Sequence, residues 1–187
     1  SAFETLLKKM ENHPLTMVLT ASLIEDPNDT LERIKNKWSE VCDQTESKRH
    51  QSMKIALKMS YDAIVMTPGA VTLWGLIAGL SANFSTYFIN ALKHISPEIS
   101  WDDALRALSS RSLVQFSVNG KSLHMLMPVK AQWERLAGKK EKRECYALWA
   151  KLIGYVAMQA DSCEHTHDAR LSNSIRGVVF ECMRSFM

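Results

Sequence analysis

Val118-Asn119-Gly120-Lys121-Ser122-Leu123-His124-Met125-Leu126-Met127, residues 118–127, is the stretch on which the fold turns. Gly120-Lys121-Ser122 are the last three letters of a phosphate-binding loop, whereas Asn119-Gly120 is a preferred pair for the tip of a β-hairpin. A phosphate loop needs a glycine where Gln115 stands and a helix after its lysine. Upstream, Val114, Phe116 and Val118 alternate with Gln115 and Ser117, the period of a strand with one buried face. Pairing outward from a two-residue type I′ turn sets Ser117 against Ser122, Phe116 against Leu123, Gln115 against His124 and Val114 against Met125. Apolar residues then share one face and polar residues the other. The stretch predicts a hairpin, and Gly120-Lys121-Ser122 is its tip.

Helical spacing surrounds the hairpin. Met53, Leu57, Tyr61 and Ile64 line one face of a helix, and Thr67-Pro68 opens the next, with Val71, Trp74 and Ala78 inward. Residues 80–84 read as a turn, and Ser85 opens a helix with Phe88, Leu92 and Ile95 apolar. Ser100 caps a fourth, whose Trp101, Ala104, Leu105 and Leu108 fall at i, i+3, i+4 and i+7. Helices followed by a two-stranded hairpin over residues 53–126 are the build of a winged helix. The helix after Ser100 is then the recognition element and Asn119-Gly120 the wing.

Farther out, Phe3, Leu6, Leu7 and Met10 keep helical spacing until Asn12-His13-Pro14 interrupts them. Pro14 suits the first turn of a helix running to Leu23. Asp29 caps another, with Glu32 as its box partner and Leu31, Ile34, Trp38 and Val41 as its buried stripe. The polar residues 43–52 read as a boundary. After the hairpin, a helix from Pro128 to Leu136 breaks at Gly138-Lys139-Lys140 and resumes from Glu144 to about Gln159. Residues 163–168 read as a connection, and 169–187 as a last helix with Leu171, Ile175, Val179 and Cys182 inward. The expected fold is mostly α in three units: a helical subdomain at 1–47, a winged-helix subdomain with one β-hairpin at 48–138, and a helical pair at 139–187.

A chain of 187 residues can bury roughly 70% of its unfolded surface, enough for one domain or a few small subdomains. A net charge of +3 is too mild to call for nucleic acid or a membrane. Cys42, Cys145, Cys163 and Cys182 are scattered without a CxxC pair, which fits reduced thiols and a cytoplasmic location. No apolar run approaches the ~20 residues of a membrane span, and no signal segment opens the chain. The chain starts already in helical rhythm, which favours a fragment of a longer protein over a naturally short one.

Candidate chemistry is sparse. Cys163, Glu164, His165, His167 and Asp168 are a single group with no second pair at zinc spacing, so no metal site is expected. No GxSxG turn presents a nucleophile, and no catalytic residue is assigned. The helix after Ser100 opens with Asp102 and Asp103, unfavourable beside phosphates. Arg106, Arg111 and Lys121 are the cations a DNA-binding winged helix would use. The run Lys139-Lys140-Glu141-Lys142-Arg143 is interrupted by Glu141 and followed by Glu144, and reads as a solvated helix start.

Residues 12–19, Asn12-His13-Pro14-Leu15-Thr16-Met17-Val18-Leu19, resemble the Gly-Leu-Pro-Leu-Ala stretch of the NB-ARC, or STAND-class, signal-transduction ATPases. Residues 52–62, from Ser52 to Asp62, look like the helix that opens that family's winged-helix subdomain. Ala104-Leu105-Arg106-Ala107-Leu108 through Ser112-Leu113-Val114 is similar to its next segment. Leu123 to Gln132, continued by Trp133-Glu134-Arg135-Leu136-Ala137, and Ser172-Asn173-Ser174-Ile175-Arg176 follow in the family's order. The resemblance spans nearly the whole chain.

The resemblance implies the helical first ARC subdomain, the winged-helix second one and the TPR-like start of a repeat region. These belong to a switch that closes with ADP and opens and oligomerises with ATP. It places Pro14, with His13 beside it, near the nucleotide. Met125, Leu126 and Met127 occupy the slot of the family's Met-His-Asp motif, where Leu126 offers no hydrogen-bond donor. Nothing resembles a Walker A loop, and no apolar run ending in Asp supplies a Walker B. The chain is therefore expected to hydrolyse no ATP. Its partners would be an upstream nucleotide-binding core in the same polypeptide, downstream helical repeats and a possible second copy, with no nucleic acid or membrane. ADP or ATP would be bound by the parent protein. Two other readings stay open: a winged-helix DNA-binding transcriptional regulator and a protein-binding helical adaptor.

Overall fold

The computed structural model describes residues 13–24, 48–79, 84–118 and 120–165, together with residues 4, 8, 31–34, 36 and 37; at 48–50 and 160–165 it gives the backbone path alone. Among these residues the elements are α1 (Pro14–Ala21), α2 (Lys48–Ile64), α3 (Ala70–Ala78), β1 (Phe84–Ser85), α4 (Tyr87–Ile95), α5 (Trp101–Ser110), β2 (Gln115–Phe116), β3 (Ser122–His124), α6 (Met127–Leu136) and α7 (Lys139–His165). The protein is mostly helical with one small antiparallel sheet. No helix among the described residues is long and apolar enough to cross a membrane.

Every residue from Ala70 to Ile77 is buried, so α3 is closed off on all sides and forms the centre on which α2, α5, α6 and α7 pack. Two indoles tie it to α6 in opposite directions. Trp74 Nε1 donates to the Val129 carbonyl at 3.2 Å, and Trp133 Nε1 donates to the Val71 carbonyl at 3.0 Å. Both rings are buried, and each polar N–H is satisfied at the cost of no unpaired group. Gly75 makes this approach possible, because a Cβ there would lie 2.3 Å from Trp133 Cζ2 and 2.9 Å from Cys145 Sγ. Along α7, Cys145, Leu148, Trp149, Leu152 and Val156 join the same core, with the Trp149 ring edge-on to Phe88 at 6.4 Å.

The order α3–β1–α4–α5–β2–β3 is that of a winged helix, with the strands arranged β1-β3-β2. Gln115 pairs with His124 and Phe116 with Leu123, the expected register, and Ser117 N–H donates to the Ser122 carbonyl at 2.8 Å. Four details differ from expectation. Phe84–Ser85 is a third strand, pairing Phe84 with Leu123, where a turn and a helix start were expected. A two-residue strand is too short to show a period, and its pairing is set from outside by β3. The helix begins at Tyr87, whose N–H donates to Ser85 Oγ at 3.2 Å. The tip is not a two-residue turn: Gly120 N–H closes back on the Ser117 carbonyl at 2.8 Å, with Gly120 at φ +66°. Asn119 lies outside the described residues.

The last of these differences concerns the hairpin's apolar row. Val114 and Leu123 are buried, but Phe116 is 48% exposed and Val118 is wholly exposed. Leu123 sits on the middle strand, over the helices. β2 is the outer strand, and its alternation carries the row off the edge of the core.

α2 is buried on two sides. Leu57, Tyr61 and Ile64 face the main core as expected, while Ile55 and Met59 pack in a second cluster with Leu23, Leu31 and Ile34. A single stripe misses this, because a helix between two cores has two. The 47/48 boundary thus meets a helix that belongs to both clusters, and Leu19 of α1 lies in the main one.

At the other end α7 starts at Lys139, not Glu144, because Gly138 alone makes the break. Lys142 N–H donates to the Gly138 carbonyl at 3.1 Å, and Lys142 Nζ donates to the Glu134 carbonyl of α6. The helix continues to His165, through part of the expected connection. The expected helix at 169–187, the stripe residues Trp38 and Val41, and Phe3, Leu6, Leu7 and Met10 lie outside the described residues.

Candidate functional site

The tip comes first, since a phosphate site would lie there. Lys121 is held by its carbonyl, which accepts from Thr86 N–H at 3.0 Å and from Thr86 Oγ1 at 3.0 Å. Ser122 begins β3, and its N–H donates to Ser117 Oγ at 3.1 Å. A strand follows the lysine, so no row of helix N–H groups is aimed at a phosphate here.

The helix expected in the recognition position is α5. Trp101, Ala104 and Leu108 are buried on one face, and Trp101 Nε1 donates to the Ser96 carbonyl at 3.0 Å, fixing α5 against the end of α4. The charges on the outer face are spent within the protein. Asp102 pairs with Lys93 of α4 at 2.9 Å, and Asp103 binds Arg106 at 3.0 Å and accepts from Ser100 Oγ at 2.6 Å. Arg111 Nη1 donates to the Ser22 carbonyl at 2.7 Å, across to the end of α1. The three cations of the DNA reading are thus not brought together: Arg106 lies on α5 beside its own carboxylate, Arg111 reaches α1, and Lys121 stands on the wing.

The two residues expected near a nucleotide sit at the start of α1. His13 is its N-cap, with Nδ1 3.3 Å from both Thr16 N and Thr16 Oγ1, and Pro14 is exposed in the first turn. Accepting from a backbone N–H through Nδ1 leaves Nε2 as the ring's N–H. The imidazole therefore does the work of a capping residue. The residues expected in a Met-His-Asp slot fall at the junction of β3 and α6: Met125 is buried, Leu126 is the helix N-cap residue, and Leu126 and Met127 are exposed. His124 beside it faces Gln115 across the hairpin, Nε2 to Oε1 at 2.9 Å.

Among the described residues no group of three His, Cys, Asp or Glu is placed to hold a metal ion, and the side chains of 163–168 lie outside them. Cys145, like Trp133, lies against Gly75; burial, and then the charge of Glu134, push its thiol up to about 12. A thiol held in that range stays protonated and is a poor nucleophile.

Sequence reasoning overlooked Thr86 and the role of Arg111. Threonine ahead of a helix is a visible signal. A side-chain bond to a carbonyl 89 residues away leaves none. Comparison of the chain with family models, with curated proteins and with solved structures returned no match.

Proposed function

We propose that the chain is a non-catalytic regulatory module of a nucleotide-dependent signalling switch of the NB-ARC type. In this reading the winged-helix unit passes the ADP or ATP state of an upstream core to downstream repeats by rigid-body rotation at packed faces. The observation that carries it is where α5 places its charge. Asp102 pairs with Lys93, Asp103 with Ser100 and Arg106, and Arg111 with the Ser22 carbonyl, so the exposed outer face of α5 carries two carboxylates, and its cations already have partners within the protein. A winged helix that grips DNA keeps such cations for phosphates. The ordered resemblance through α1, α2, α5, β3 and α6 supports the same reading. A cytoplasmic location and assembly with a second copy belong to it.

The full reading frame tests it: a phosphate loop upstream of residue 1 in the same polypeptide is the expected finding. A frame that opens at this chain without one overturns the proposal. For the isolated chain, calorimetric titration with ADP is expected to give no heat at submicromolar ligand. Duplex DNA binding whose salt slope falls on Lys121→Ala would assign the chain to transcriptional regulation instead.

A further inference from the structure

α1 has eight residues, and a helix of that length has too few bonds to repay its nucleation when isolated in water. It provides for its own start through His13 and Pro14. Its end is closed locally only as far as Ala21: Ser22 Oγ donates to the Leu19 carbonyl, Leu23 N–H to that of Thr20 and Ile24 N–H to that of Ala21, which leaves the Ser22 carbonyl. No basic residue lies in its last turn, and its C-cap, Ser22, has an ordinary right-handed conformation at φ −69°. The free carbonyls of a helix end carry partial negative charge and attract a cation. That cation is Arg111, delivered from the far side of the sequence onto the Ser22 carbonyl.

The corner that delivers it is built for the task. Ser112, the next residue, is in the left-handed region at φ 56°, which side-chain-bearing residues adopt only when their surroundings hold them there. Leu113 N–H donates to the Leu108 carbonyl and Ser112 N–H to that of Ser109, each at 3.0 Å, closing α5. Leu113 and Val114 are buried immediately afterwards. The guanidinium is therefore anchored on the winged-helix unit, while α1 rests on Leu19 in the main core and Leu23 in the second cluster.

We propose that Arg111 is a clasp and α1 a conditional helix: residues 13–24 are helical only while seated on the winged-helix unit, and losing the Arg111–Ser22 bond releases them as an unfolded arm. The clasp rests on this geometry and stands apart from the nucleotide reading.

Hydrogen exchange on the whole chain tests it, comparing the wild type with Arg111→Met and Arg111→Lys. In Arg111→Met, protection of the amides of residues 17–22 is expected to fall roughly tenfold, while those of Leu73 and Trp74 keep their wild-type values. Arg111→Lys, which retains the charge, restores part of the loss. Unchanged protection at 17–22 overturns the clasp. So does a loss of equal factor in α3, which would make Arg111 a support of the whole fold. Should Arg111→Met fail to fold, Arg111→Lys is read by the same two sets of amides: a smaller loss confined to 17–22 upholds the clasp, and a uniform loss or none overturns it.

Discussion

Two glycines separate the centre of the molecule from its wing. At Gly75 the backbone is ordinary helix and the requirement is room, because the Trp133 indole occupies the place of a side chain. At Gly120 there is nothing within 4 Å of an added Cβ, and the requirement is conformation, a φ of +66°. The centre is determined by packing and tolerates no added atom. The wing is determined by one backbone turn and is indifferent to what surrounds it. Substitutions at the centre should therefore be read through their neighbours, and those at the wing through the residue itself.

The sharpest way to break that contrast is at Trp133. Trp133→Ala removes the ring and its bond to Val71, and is expected to destabilise the chain by about 3–5 kcal/mol in denaturant titration. In the wild type, Gly75→Ala overpacks the contact and should cost about 1–3 kcal/mol. In the Trp133→Ala background most of that cost should vanish, leaving only the approach to Cys145 Sγ, which alanine's helix preference over glycine, about 1 kcal/mol, offsets in part. A Gly75→Ala cost undiminished by the loss of Trp133 would show that room for the indole is not what Gly75 supplies.

The second expectation uses the thiol beside that contact. The folded state holds Cys145 protonated to about pH 12, whereas its ordinary value is 9.0. Between those values the unfolded chain binds fewer protons than the folded one, so stability is full below pH 9 and declines as pH rises toward 12. The slope is at most about 1.4 kcal/mol per unit. Tyr61, raised by its burial and then by Glu141 and Asp62, adds to the same decline at its upper end. Urea midpoints across this range should fall steeply in the wild type and more gently in Cys145→Ala.

At the wing the effects are smaller. Gly120→Ala forces a side chain into the left-handed region and is expected to cost about 1–2 kcal/mol with no change in the core's near-ultraviolet signal. Val118→Ser, at a position wholly exposed, should lie within about 0.5 kcal/mol of the wild type. A larger loss at Val118, dependent on protein concentration, would mean that the wing is covered by another copy in solution.

The same contrast explains what could be read from the sequence. The hairpin register was legible because alternation in 114–118 and 122–125 leaves one arrangement with apolar residues opposite one another. The stripe of α5 was legible because Trp101, Ala104, Leu105 and Leu108 recur at helical spacing. β1 was not, since two residues carry no period and Phe84 is held by Leu123, far along the chain. The exposure of Phe116 was hidden because alternation marks a face but says nothing of how far the core extends beneath it. Of the candidate site, Pro14 announced a helix start, which it forms, whereas the capping by His13 was not anticipated and the reach of Arg111 to Ser22 depends wholly on tertiary placement.

α2 lies between two apolar clusters, with Leu57 and Ile64 turned one way and Ile55 and Met59 the other. Both clusters thus use one helix as a shared wall, and the second has no wall of its own once that helix melts. Shortening the polypeptide from its front to residue 48 would lay bare a greasy seam at Ile55 and Met59. The trimmed protein should clump where the longer one stays dispersed.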